Sequence, residues 1–124
     1  MSSPTVIFLR DAGWEARYHA TTLAVTAAAL GDAVTLALSF EPLRRWVEGR
    51  FDEGATDTAE VARIGSLRVV LDDARRELGL RVVACDTAVR LAGVPPEAAR
   101  AALDEVTTLT SLWRLAQAGR AVTV

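Results

Sequence analysis

Apolar residues along the chain alternate between short unbroken runs and longer stretches with helical spacing. Val6-Ile7-Phe8-Leu9 is an unbroken run closed by Arg10-Asp11-Ala12-Gly13. This is the pattern of a strand buried on both faces, and such strands belong in parallel sheets. From Glu15 to Leu30 the spacing becomes helical, with Tyr18, Thr22 or Leu23, Val25, Ala29 and Leu30 recurring on one side and Gly31 as the stop. Ala33 to Leu38 reads as a second strand with Val34, Leu36 and Leu38 on one face. Glu41 to Val47 reads as a short helix with Pro42 in its first turn, where a missing N–H costs nothing.

Gly49 to Thr58 is polar and Gly-containing, the composition of a mobile loop. Asp57 and Glu60 stand at capping-box spacing before a stripe of Val61, Ile64, Leu67, Leu71, Ala74 and Leu78. Gly65 divides that stripe and Gly79 ends it. Leu80 to Ala84 is a third strand, with Cys85 at its carboxyl end. Thr87 to Leu91 and Pro96 to Leu103 read as short helices, Val106 to Leu109 as a weak strand, Ser111 to Ala118 as a helix and Ala121 to Val124 as a last strand. Strands alternating with helices predict one α/β domain over residues 1–124, a three-layer flavodoxin-like fold with a five-stranded parallel sheet. The strand order expected for it is 2-1-3-4-5. Strands 1 and 3 are then neighbours at the point where the chain reverses direction, and ligands gather at their carboxyl ends. Those ends carry Asp11, Gly13 and Trp14 on one side and Cys85, Asp86 and Thr87 on the other.

Composition narrows the chemistry. The 124 residues suit one domain, and although 51% are hydrophobic, 23 positions are Ala, so much of the apolar volume lies in small side chains. A charged fraction of 24% with net charge −2 speaks against a disordered chain and against a nucleic-acid binder. All 14 basic residues are Arg. The absence of Lys removes Schiff-base chemistry, the P-loop lysine and the receiver domains that need a Lys after strand 5. One Cys and one His allow no intramolecular disulfide and no Cys/His zinc site, and a free Cys fits a reducing, cytoplasmic compartment. The start at Met1-Ser2-Ser3 lacks a basic region, and Val6 to Leu9 is too short for a signal peptide. Ala20 to Phe40 is apolar enough to suggest a membrane span. It would bury Asp32 near its centre at ~2.5–3.5 kcal/mol, so Gly31-Asp32 is read as a turn and no membrane association is expected.

Cys85 is the leading chemical candidate, because helix N–H groups and the helix dipole favour a thiolate over a thiol. Asp86 opposes this by like charge unless its carboxylate turns to the helix backbone. The bland reading is a small buried hydrophobe. His19 lies too deep in the first helix to reach the strand ends as a general base and reads as a surface or interface imidazole. Trp14 and Trp46 either stack on a ligand or seal a core or interface. The run Asp72 to Glu77 reads as a solvated face with local ion pairs. Arg10 to Glu15 lacks the hydroxyls of a flavin phosphate loop, and no G-x-S-x-G elbow supports a serine hydrolase.

The stretch Gly79-Leu80-Arg81-Val82-Val83-Ala84-Cys85-Asp86-Thr87-Ala88-Val89-Arg90-Leu91-Ala92-Gly93-Val94 runs a strand into a Cys and a short helix. With the amino-terminal strand and the Ala-rich first helix, it resembles the DsrE/DsrF-like family of small sulfur-relay proteins across nearly the whole chain. The resemblance implies a persulfide carrier with Cys85 as the sulfur-accepting residue, aided by Arg10 or Arg90, needing no metal or organic cofactor. It implies unidentified sulfur-donor and sulfur-acceptor proteins as partners. It also implies a homo-oligomer, trimer or hexamer. Trp46, on a short helix before a polar loop, reads as an interface residue, the alternative being that it folds back over its own sheet edge. The competing expectation is a non-catalytic ligand-binding or structural subunit of the same fold with an inert Cys85.

Overall fold

The computed structural model describes residues 3–124; the amino-terminal reading at Met1 and Ser2 lies outside the described residues. β1 (Pro4–Leu9), β2 (Ala33–Leu38), β3 (Arg81–Cys85), β4 (Glu105–Thr107) and β5 (Arg120–Thr123) form one five-stranded sheet. Every pairing is parallel, as expected, but the order is β4-β3-β2-β1-β5 rather than 2-1-3-4-5. β1 and β3 are therefore not neighbours; β2 lies between them. The burial of β2 shows why: all of its residues after Ala33 are buried, which suits a central strand and not the edge position first expected. From β1 the chain steps outward through β2 and β3 to β4, and only the last crossover returns, to place β5 on the other side of β1.

That return makes the two faces unequal. Ile7, Leu9, Leu36, Leu38, Val82 and Ala84 face the main core, where α1 (Trp14–Ala29), α2 (Phe40–Val47), α4 (Leu67–Leu78), α5 (Asp86–Ala92) and α6 (Pro96–Ala102) pack. On the other face Val6, Ala37 and Val83 meet Leu112 and Ala116 of α7 (Leu109–Gln117), a helix of nine residues, with Leu115 partly buried beside them. The turn from α7 into β5 runs so close to β1 that a Cβ on Gly119 would sit 1.8 Å from the Pro4 carbonyl oxygen.

α1 buries a different face from the one its large side chains suggested. Arg17, Ala20, Thr21, Ala24 and Ala28 point inward, and Leu30, just past its end, is 82% exposed. Small residues let α1 lie close against the sheet and α4, so burial follows alanine rather than the largest side chains. Gly31, at φ +100°, ends this segment, and no helix among the described residues is long and apolar enough to cross a membrane.

The apolar stripe after residue 57 breaks into α3 (Asp57–Val61) and α4, with Arg63 in the left-handed region at φ 59° between them. Its cap is Thr56, whose Oγ1 accepts the Ala59 N–H at 3.0 Å, in place of the Asp57–Glu60 box. The polar stretch expected to be mobile is tied to the body. Phe51 is buried, and the buried guanidinium of Arg17 donates to the carbonyl oxygens of Phe51 and, at 2.7 Å, of Glu53. Trp46 is also in the core at 1% exposure, which removes it from the interface for which it was a candidate. Its Nε1 donates to the Ala102 carbonyl at 2.8 Å, Phe51 meets it edge-on at 5.2 Å and the Arg68 guanidinium stacks 3.6 Å from its ring centroid.

Candidate functional site

Cys85 ends β3 and caps α5. Its extended backbone (φ −82°, ψ 155°) turns Sγ back over the helix start, where it accepts the Ala88 N–H at 3.3 Å. The sulfur belongs to a half-buried residue packed against both cores, with Thr107 beside it on β4. Asp86 Oδ1 accepts the Thr87 N–H at 2.9 Å, so the neighbouring carboxylate is turned onto the helix backbone. Thr87 Oγ1 in turn accepts from Arg90 at 3.3 Å. Between α5 and α6 lies a recess of about 200 Å³ lined by Val89, Pro96 and Val106, with Asp86, Arg90 and Arg100 around it. Cys85, Asp86, Thr87 and Arg90 thus form one group.

Asp11, Gly13 and Trp14 form another. Asp11 Oδ1 accepts the Gly13 N–H at 2.9 Å, closing a small turn that launches α1. With β2 between β1 and β3, the two groups stand two strand spacings apart, roughly 10 Å. The single cleft expected between them is not formed. What occupies the interval is the start of α2, where Ser39 N–H donates to the Leu9 carbonyl and Phe40 holds φ 55° while half exposed. A non-glycine residue in that region carries strain of roughly 1–3 kcal/mol, and nothing in the sequence signals it.

In the observed order the chain reverses direction between β1 and β5, so the expected ligand crevice moves to that border. A concavity of about 810 Å³ lies beside it. Trp14 and Tyr18, stacked at 5.4 Å, and His19 come from α1; Thr56 and Ala59 come from the α3 region, and Val124 closes the β5 end. The Arg10 and Asp11 N–H groups both donate to the Val124 carbonyl, fixing the rim. His19, read as a surface or interface imidazole, lines the groove. The missed residues Thr56, the cap of α3, and Ile64, in the break between α3 and α4, line it as well.

Among the described residues four titratable groups are shifted by their surroundings: Arg50 and Arg75 are raised, chiefly by hydrogen bonds to Glu48 and to Asp104, and Arg17 and Asp104 are lowered. Burial lowers the Arg17 pKa, and the like charge of Arg45 adds to this, while Asp52, Glu41 and Glu53 oppose it. Its Nε and the adjacent Thr21 Oγ1 are buried without a hydrogen-bond partner among the described residues. Burial raises the Asp104 pKa, but the hydrogen bonds from Arg75 and the Val82 N–H and the charges of Arg75 and Arg81 outweigh it, leaving the carboxyl below its ordinary value. Arg17 and Asp104 belong to the framework rather than to the site. Among the described residues no group of three His, Cys, Asp or Glu side chains is placed to hold a metal ion. No protein-family model matches the chain, and no curated protein is detectably similar to it.

Proposed function

We propose that the protein is a sulfur carrier that accepts sulfane sulfur on Cys85 and yields it to a partner thiol. The observation that carries this reading is the Ala88 N–H aimed at Sγ from 3.3 Å at the start of α5. An amide donor at a helix start stabilises a thiolate, which is the reactive species. The carboxylate of Asp86, the nearest like charge in sequence, is engaged with the Thr87 N–H, and Arg90 and Arg100 supply positive charge around the adjoining recess.

The chemistry closes without a cofactor. The Cys85 thiolate attacks the outer sulfur of an incoming persulfide. A new S–S bond forms at Cys85, the donor's S–S bond breaks, and the donor leaves as a thiolate. In the second half an acceptor thiolate attacks the outer sulfur, and Cys85 departs as the thiolate with no net oxidation. With one cysteine in the chain, both partners are other molecules or other copies. The reading is tested by loading with polysulfide, removing excess reagent and adding a thiol acceptor. Sulfur should pass to the acceptor from the wild type and not from Cys85→Ala; equal transfer by both would refute the carrier role.

A second reading, small-ligand binding without catalysis, is favoured by the groove of about 810 Å³ beside the β1–β5 reversal. Its stacked Trp14 and Tyr18 offer a planar apolar surface. Quenching of tryptophan fluorescence by a panel of planar aromatic compounds, lost in Trp14→Ala, would support this reading. An unresponsive wild type would remove it.

A further inference from the structure

β5 is the one strand whose four residues are all exposed, and its outer edge meets no other element of the described chain. The Val124 N–H donates to the Phe8 carbonyl at 2.8 Å, and its carbonyl accepts the Arg10 N–H at 3.0 Å, so both point towards β1. Backbone groups of alternate residues in a parallel strand point to opposite sides. Ala121 and Thr123 therefore direct their N–H and C=O groups outward. An open edge of this kind is a template for another strand unless it is covered or charged, and only Arg120 carries charge.

Both sheet faces beside that edge expose large apolar side chains. On the α1 face, a groove of about 240 Å³ is lined by Leu23, Ala27, Leu30 and Val122 over the buried Ile7, with Thr5, Thr26, Asp32 and Arg120 completing its wall. Leu30 is 82% exposed there, the consequence of α1 burying its alanines instead. On the α7 face, Ser111 and Leu115 line the recess over β3 and β4. At 3.6 residues per turn, Leu109 and Trp113 fall on the opposite flank of the buried Leu112–Ala116 line, the β1–β5 side. Both are more than half exposed.

We propose that this edge is a dimerisation surface whose occupant is a second copy of the chain, β5 pairing antiparallel with β5 about a two-fold axis through Val122. That register sets Ala121 opposite Thr123 of the second copy, and the reverse, each pair exchanging two backbone hydrogen bonds with the groups that point outward. Val122 meets Val122, and Leu30 and Trp113 close over the junction on opposite faces. Charge complements it. Arg120, which forms no ion pair among the described residues, lies at the amino end of the edge, and exposed Asp11 and Glu15 lie by its carboxyl end. The two-fold axis brings the Arg120 of each copy towards the acidic end of the other, beside the groove that Val124 lines.

The experiment is sedimentation equilibrium on the full chain, wild type against Leu30→Glu and Ala121→Pro. Leu30 is exposed, and proline is tolerated on an edge strand where the lost N–H faces solvent, so both substitutions spare the single chain. The wild type should sediment at twice the 13.3 kDa chain mass, and both variants should weaken association by at least about tenfold while keeping the native circular dichroism spectrum. A monomeric or trimeric wild type would overturn the proposal, as would a dimer unaffected by Leu30→Glu. If Ala121→Pro fails to fold, Leu30→Glu alone decides.

Discussion

The sulfur of Cys85 accepts the backbone N–H of Ala88 across 3.3 Å, joining the end of β3 to the first turn of α5 through the only thiol in the chain. Ala88→Pro removes that donor while keeping Cys85, at a first-turn position where proline is tolerated. Loss of a hydrogen bond to a charged group is worth about 1.5–3 kcal/mol, so alkylation by iodoacetamide at neutral pH should slow by at least about tenfold. An unchanged rate in a variant with an unchanged melting curve would show that the amide does not activate the thiol.

Arg17 holds the 51–53 segment through two backbone carbonyls. In Arg17→Met these oxygens lose their donor, at a cost of about 1–3 kcal/mol. Amide exchange in residues 50–56 should accelerate well beyond that of β1 and β2. Equal acceleration everywhere would mean that Arg17 supports the whole fold rather than this segment.

Trp46 is enclosed by Phe51, Arg68 and the Ala102 carbonyl. Trp46→Ala should cost about 3–5 kcal/mol, a large part of a small domain's stability. Chemical denaturation measures this. A near-neutral result would place Trp46 outside the core.

Asp104 receives both Arg75 and the Val82 N–H, and its pKa lies below the ordinary carboxylate value. A lowered carboxyl pKa adds stability that is fully present above the unfolded value of about 3.9 and is lost as pH falls through the lower folded value. The advantage of wild type over Asp104→Asn, about 1 kcal/mol near neutrality, should therefore persist down to pH 5 and shrink below about pH 4. A difference that grew on acidification would contradict the assignment.

These residues also show what sequence pattern can and cannot reveal. Cys85 at a strand end before a helix was legible because an apolar run stops at a polar helix start. The α1 face was misread because side-chain size was taken for burial, whereas Ala20, Ala24 and Ala28 make the close contact. Strand order depends on which strands are buried on both faces. The run Val34 to Leu38 carried that signal, but alternation alone did not weigh it. Once β2 separates β1 from β3, the expected cleft divides into a thiol site and a groove at the β1–β5 border. The positive φ of Phe40 and the passage of Gly119 against Pro4 are tertiary facts with no local signature.

The most direct measurement is intact mass after incubation with an inorganic polysulfide and removal of excess reagent. The relay reading predicts that wild type gains one sulfur atom, that a thiol reductant removes it and that Cys85→Ala gains none. A wild-type protein that stays at its starting mass would contradict the role of Cys85 as a sulfur carrier.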